Sequence, residues 1–214
     1  MKNIYLFSGL GVDKRVFQDM DFSGFHITHI EWILPDNNET IHTYAKRICN
    51  QIKTEDPILI GLSFGGMMAI EVAKLIPVEH IILIASVKTR KELPYYFKLA
   101  GFFKLHRLFP LRLLRYSNFF IRWLFGVSNP QEGVLLQKIL TDTHPKVLKW
   151  SIDQVLGWKN QTEFKNLLHI HGSNDHVLPA RYLNCDITIK DGGHFMTVSK
   201  AAEISQIIRT HLNN

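Results

Sequence analysis

The chain has 214 residues, 46% of them hydrophobic and 21% charged, with 25 basic side chains against 19 acidic and a formal charge of +6. At about 100–200 residues per domain, that length suits one domain with room for an insertion, large enough to bury a core without staples. Two distant cysteines, Cys49 and Cys185, exclude a disulfide scaffold and a zinc ribbon and point to a reducing, cytoplasmic setting. Ile4 to Phe7 is too short for an export signal, and no apolar run reaches the roughly 18–20 residues of a membrane span.

Taken in chain order, Lys2–Phe7, Phe25–Trp32, Pro57–Leu62, His80–Ser86, Asn166–His171 and Cys185–Lys190 read as strands. Glu39–Ile52, Phe64–Leu75 and Thr197–Leu212 carry helical periodicity. The first helix is expected to take its cap from Asp36-Asn37-Asn38, and the second to end before Pro77. Alternation of this kind predicts an α/β fold, a mostly parallel sheet of about six strands flanked by helices. Between the fourth and fifth strands lie about 80 residues, far more than a usual connection, so an insertion is expected there. It is broken at Pro94 and Pro110 and closes with helical patterns over Gln131–Leu140 and Pro145–Leu156. The expected division is 1–87 for the first part of the core, 88–157 for the helical insertion and 158–214 for the rest of the core.

The positive charge is concentrated. From Lys88 to Ser128 there are nine lysines and arginines against the single acid Glu92, an excess of +8, so the remainder carries −2. The same stretch holds Tyr95, Tyr96, Phe97, Phe102, Phe103, Phe109, Tyr116, Phe119, Phe120, Trp123 and Phe125. It is a basic, aromatic module set into a near-neutral protein.

Chemistry is carried by Gly61-Leu62-Ser63-Phe64-Gly65-Gly66, a G-x-S-x-G sequence placed where an apolar strand turns into a helix. A serine on so sharp a turn needs small residues two before and two after it, and it stands exposed at a helix N-terminus where developing negative charge is favoured. Such a hydroxyl is a weak nucleophile and requires a base, itself oriented by a third group. His194, in Asp191-Gly192-Gly193-His194-Phe195 after the last strand, is the best placed of eleven histidines; His176 is its competitor. Asp175, in the turn Gly172-Ser173-Asn174-Asp175 beyond the fifth strand, is the candidate acid, ahead of Asp142 and Asp153. Acyl transfer also needs amide donors for the oxyanion. The backbone N–H of Phe64 and that of Leu10, in Ser8-Gly9-Leu10-Gly11, are the candidates. Gly9-Leu10-Gly11 lacks the third glycine of a dinucleotide loop, and neither a cofactor nor a metal is expected.

The three motifs, in the order Ser63, Asp175, His194, resemble those of the α/β-hydrolase superfamily over nearly the whole chain. The resemblance implies a serine esterase acting on a carboxylic ester or thioester through an acyl-enzyme, with the insertion as a helical cap over the site. In that family the oxyanion loop usually begins with His-Gly, where this chain has Ser8-Gly9. Some small capped members cleave the methyl ester of a pimeloyl-carrier protein and receive the acidic carrier on basic cap residues. Others in this fold are binding proteins without turnover.

The basic module therefore admits three readings: arginines and lysines that merely solvate helices, a dock for an acidic acyl carrier protein, or an anionic lipid surface met by a lysophospholipase-like enzyme. Arg112, Arg115 and Arg122 fall near one helical face and are the candidate partner-binding residues. Nucleic acid is not expected, since no nucleic-acid motif accompanies the charge.

Overall fold

The computed structural model describes residues 1–10, 12–104 and 119–213. Six strands, β1 (Asn3–Phe7), β2 (His26–His29), β3 (Ile58–Leu62), β4 (His80–Ile84), β5 (Leu167–Gly172) and β6 (Ile187–Ile189), form one sheet in the order β2-β1-β3-β4-β5-β6. Every pairing is parallel, with Phe7 opposite Gly61 and Leu62 opposite Ile84. The strands are apolar on both faces, as a parallel sheet covered on both sides demands. Ile4, Leu6, Ile60 and Ile82 point to one layer with Ile204 and Ile208, whereas Tyr5, Phe7, Leu59 and Ile81 point to the other with Tyr44 and Met68.

The helices are α1 (Ile41–Ile48), α2 (Phe64–Ala73), α3 (Tyr95–Phe102), α4 (Phe119–Phe125), α5 (Pro130–Asp142), α6 (Pro145–Gly157), α7 (Met196–Ser199) and α8 (Ala201–Asn213). Most boundaries shift by a few residues from the sequence expectation, and three of the shifts change how the chain is read. The cap of α1 is Thr40, whose side chain accepts from Thr43 N–H in a reciprocal capping box, so the helix starts later than Asp36-Asn37-Asn38 suggested. The second strand stops at His29, leaving Trp32 outside the ladder. The final helical pattern is divided at Lys200, whose backbone (φ −128°, ψ 26°) is not helical.

Segment α3–α6 falls between β4 and β5 and is fastened to the sheet layers by two indoles. Trp150 in α6 donates through Nε1 to the Glu39 carbonyl at 2.8 Å and packs on Tyr44 with ring centroids 4.2 Å apart. Fully buried Trp158, just past α6, donates to Glu71 Oε1 in α2 at 2.8 Å. Two of the nine cations counted in the basic module are also turned inward at its base. Lys88 Nζ donates to the Asn184 carbonyl and Arg90 Nη1 to the Trp158 carbonyl.

His169 and His171 project from β5 on the face opposite Leu168 and Ile170, both without solvent exposure and in edge-to-face contact at 5.5 Å. Burial lowers the pKa of both, that of His169 from 6.5 to about 3, with His171 and Lys88 adding like charge. The folded protein then stays neutral at His169 where the unfolded chain takes up a proton. This contribution to stability is fully present above the unfolded value of 6.5 and is lost progressively as the pH falls toward 3. Unfolding free energy from urea titrations is expected to drop by about 1.4 kcal/mol per pH unit on account of His169 in that window, and His169→Leu should remove that component. A pH slope indifferent to the substitution would refute it.

Candidate active site

The sheet order reverses between β1 and β3, where the connections leave in opposite directions and open a crevice at the carboxyl ends of the strands. Ser63 follows β3 on one side of that crevice, and Ser8, Gly9 and Leu10 follow β1 on the other. Ser63 has φ 53° and ψ −120°, a conformation an L-residue adopts only when its surroundings enforce it. The enforcement is visible. Its N–H donates to the Ile84 carbonyl at 2.9 Å, and its own carbonyl accepts from Ser86 Oγ at 2.6 Å. A Cβ on Gly65 would stand 2.2 Å from the Phe7 carbonyl oxygen, and one on Gly61 would stand 2.4 Å from Gly66.

Asp175 comes from the turn after β5 and His194 from the turn after β6. The two turns meet where Gly172 and Gly192 pass so closely that a Cβ on Gly172 would lie 2.1 Å from the Gly192 oxygen. Asn174 N–H also donates to that oxygen, at 2.9 Å. His194 Nδ1 lies 2.7 Å from Asp175 Oδ2, and Nε2 lies 2.8 Å from Ser63 Oγ. A carboxylate only accepts, so Nδ1 carries the proton and, in the neutral ring, Nε2 is left to accept from the serine hydroxyl.

Asp175 has no exposed side-chain surface. Burial works to raise its pKa, but the His194 charge and hydrogen bond, the nearby His171 and the Leu178 N–H together outweigh it, and the pKa is lowered. Its second oxygen, Oδ1, accepts from Val177 N–H at 2.9 Å and Leu178 N–H at 2.8 Å. His171 Nε2, 2.8 Å from the Leu178 carbonyl and 3.3 Å from Asp175 Oδ2, donates into the same group of acceptors. From the sequence, His171 has no part in the site beyond its place at the end of the fifth strand; its only signal is a histidine four positions before an acid.

Leu10 and Phe64 both border the cavity beside Ser63, and Gly11 lies outside the described residues. Ser8, which stands where a histidine was expected from the resemblance, accepts from Trp32 Nε1 at 2.7 Å and donates to the Val12 carbonyl at 3.0 Å. Trp32 in turn stacks on Phe64 at 5.4 Å, so one indole braces the Phe64 ring and the Ser8 start of the loop that carries Leu10. Nothing in the sequence marked it. Of the other candidates, His176 is half-buried, stacked on Trp123 at 4.2 Å, and Asp142 pairs with Arg15 at 2.8 Å. Arg122 packs its guanidinium against Gly133 of α5, while Arg112 and Arg115 lie outside the described residues.

Above Ser63 and His194 is a cavity of about 440 Å³. Its floor includes Leu62, Phe64 and Met67, and its roof draws Phe97 and Ala100 from α3, Leu124 and Phe125 from α4, Leu140 from α5, and Leu148, Ile152 and Val155 from α6. Among the described residues lining it there is no Asp, Glu, Lys or Arg. A buried charge without a partner there would cost several kcal/mol, so the space suits an uncharged, apolar group.

Residues 8–207 match the model of the alpha/beta hydrolase family. Solved structures with the same fold include a thermophilic esterase from Thermogutta terrifontis, with a TM-score of 0.75 and 16% identity over 100% of this chain and 90% of that one. An enol-lactonase from Burkholderia xenovorans LB400 gives a TM-score of 0.76 and 14% identity, covering 100% and 92% of the two chains. MenH from S. aureus gives a TM-score of 0.73 and 15% identity, covering 99% and 93%. At such identities the likeness is one of fold. No curated protein matches the sequence.

Proposed function

We propose, because the chain belongs to the alpha/beta hydrolase family, that it is a serine hydrolase that cleaves a carboxylic ester or thioester bearing an uncharged, apolar acyl group. The observation that carries the reading is the unbroken row Asp175, His194, Ser63 ending in an apolar cavity. Ser63 Oγ attacks the carbonyl carbon as His194 Nε2 takes its proton, and the amides of Phe64 and Leu10 receive the oxyanion. The imidazolium, held by Asp175, returns the proton to the departing alcohol or thiol. Water, deprotonated by the same nitrogen, then releases the acid and restores Ser63. Metal and cofactor have no step in this sequence.

A p-nitrophenyl ester series tests both halves of the reading. kcat/KM is expected to rise about fourfold per methylene from acetate toward octanoate, the value of one buried CH₂. Esters of the same length ending in a carboxylate should be poorer by about 100-fold or more, the cost of an unpaired charge in the cavity. A flat series, or preference for the charged ester, would reject the apolar acyl site. Failure of a fluorophosphonate to label Ser63 would favour a binding protein without turnover. An ester carried by an acidic acyl carrier protein and a lipid ester at an anionic surface both place a polymethylene chain in this cavity. The outer surface of the roof favours the second.

A further inference from the structure

We propose that the outward faces of α3 and α4 form a docking surface for an anionic lipid bilayer, whether or not Ser63 turns over its substrate. Both helices are apolar on two sides. On α3, Phe97 and Ala100 line the cavity, while Tyr95, Leu99 and Phe102, spaced as one helical face, are 68%, 51% and 80% exposed. On α4, Ile121, Leu124 and Phe125 line the cavity, while Phe119, Phe120 and Trp123 are 86%, 59% and 49% exposed. A helix on a water-facing surface buries one stripe and turns polar residues outward, and these two do not. The exposed rings are also clustered, with Phe102 5.0 Å from Phe103 and Phe120 5.9 Å from Trp123. Grouped apolar exposure of this kind marks a surface that meets something other than water.

Charge selects the partner. Lys91 and Lys104 are exposed beside α3, and Arg181 lies over the ring of Tyr182, which is 6.5 Å from Tyr95. The only acid between residues 88 and 128, Glu92, is buried and accepts from the N–H groups of Lys88 and Asn184. No carboxylate of that segment therefore faces outward. The sequence from 102 to 125 contains eight aromatic residues, seven leucines or isoleucines and five lysines or arginines, without an acid. Cations at the level of phosphates with phenyl and indole rings just beneath them is the arrangement a headgroup boundary accommodates. An acidic protein partner would have to bring an apolar core of its own to cover these rings, whereas an anionic bilayer supplies negative headgroups and hydrocarbon together.

The full chain carrying Ser63→Ala, so that no lipid is consumed, is expected to sediment with vesicles of phosphatidylcholine and phosphatidylglycerol in equal parts, and to remain in solution with phosphatidylcholine alone. Lys91→Gln with Lys104→Gln should weaken vesicle binding by about 30-fold, two surface cations' worth. Phe102→Ser with Phe119→Ser should weaken it by about 100-fold or more, and Trp123 fluorescence should be quenched by brominated acyl chains in the parent but not in this variant. Circular dichroism of both variants controls for folding. Binding that is absent, indifferent to both pairs of substitutions, or equal on uncharged vesicles would overturn the proposal. So would low-salt binding to an acidic acyl carrier protein without any to vesicles. Sedimentation of a chain whose Ser63 proves inert would leave the docking surface standing and refute the esterase reading alone.

Discussion

Replacing Ser63 with alanine is expected to lower kcat by about 10⁶-fold, the loss typical of a serine hydrolase without its nucleophile. Alanine removes only Oγ, and the backbone supports of the elbow, the Ile84 carbonyl and the Ser86 hydroxyl, engage main-chain atoms that alanine retains. Folding should therefore survive, as should binding of a long-chain ester in the cavity. The signature is a collapsed kcat with KM little changed, together with loss of fluorophosphonate labelling. Near-normal hydrolysis by Ser63→Ala would end the assignment.

The second large effect is expected from Asp175→Asn, about 10⁴-fold in kcat. Asparagine is isosteric and its oxygen can keep the bonds from Val177 and Leu178 N–H, but its amide would face His194 Nδ1 with a donor. The ring would then place its proton on Nε2, the nitrogen that must accept from Ser63. Stability should respond separately. The lowered pKa of Asp175 adds stability that is present above its unfolded value of 3.8 and is lost only as the pH falls through its lower folded value. Acid weakening that begins near pH 6.5 thus belongs to the histidines whose pKa burial lowers, His169 and His171 of β5 with His29 and His80, while the change at Asp175 comes below it. If Asp175→Asn loses less than tenfold in kcat, the acid is misassigned.

Much of this site was legible because its parts are local. G-x-S-x-G at a strand end, glycine before the acid and glycine before the histidine each describe a turn that a few consecutive residues determine. Apolar runs on a parallel sheet likewise announce themselves. What escaped depends on residues far apart in the chain. Trp32 reaches Ser8 and Phe64, and Trp158 reaches Glu71; none of these pairings has a periodicity or a spacing. Thr40 displaced Asp36-Asn37-Asn38 as a cap because three good capping types in a row leave the choice to the fold. The charge count of the module likewise weighs Lys88 and Arg90 equally with the other cations, whereas each spends its cation on a main-chain carbonyl of a neighbouring segment.

The close passage of Gly172 and Gly192 has a bearing on how such a protein can diversify. With no room for a side chain at Gly172 and little at Gly192, the turns that hold the acid and the histidine are packed directly on each other, and substitution at Gly172 would push them apart. The walls of the cavity that would tell one acyl chain from another come largely from α3 to α6, a separate stretch of sequence. Reaction and preference are thereby inherited as separable traits, and directed evolution for a new ester should concentrate its changes between β4 and β5 while leaving the glycine crossing untouched.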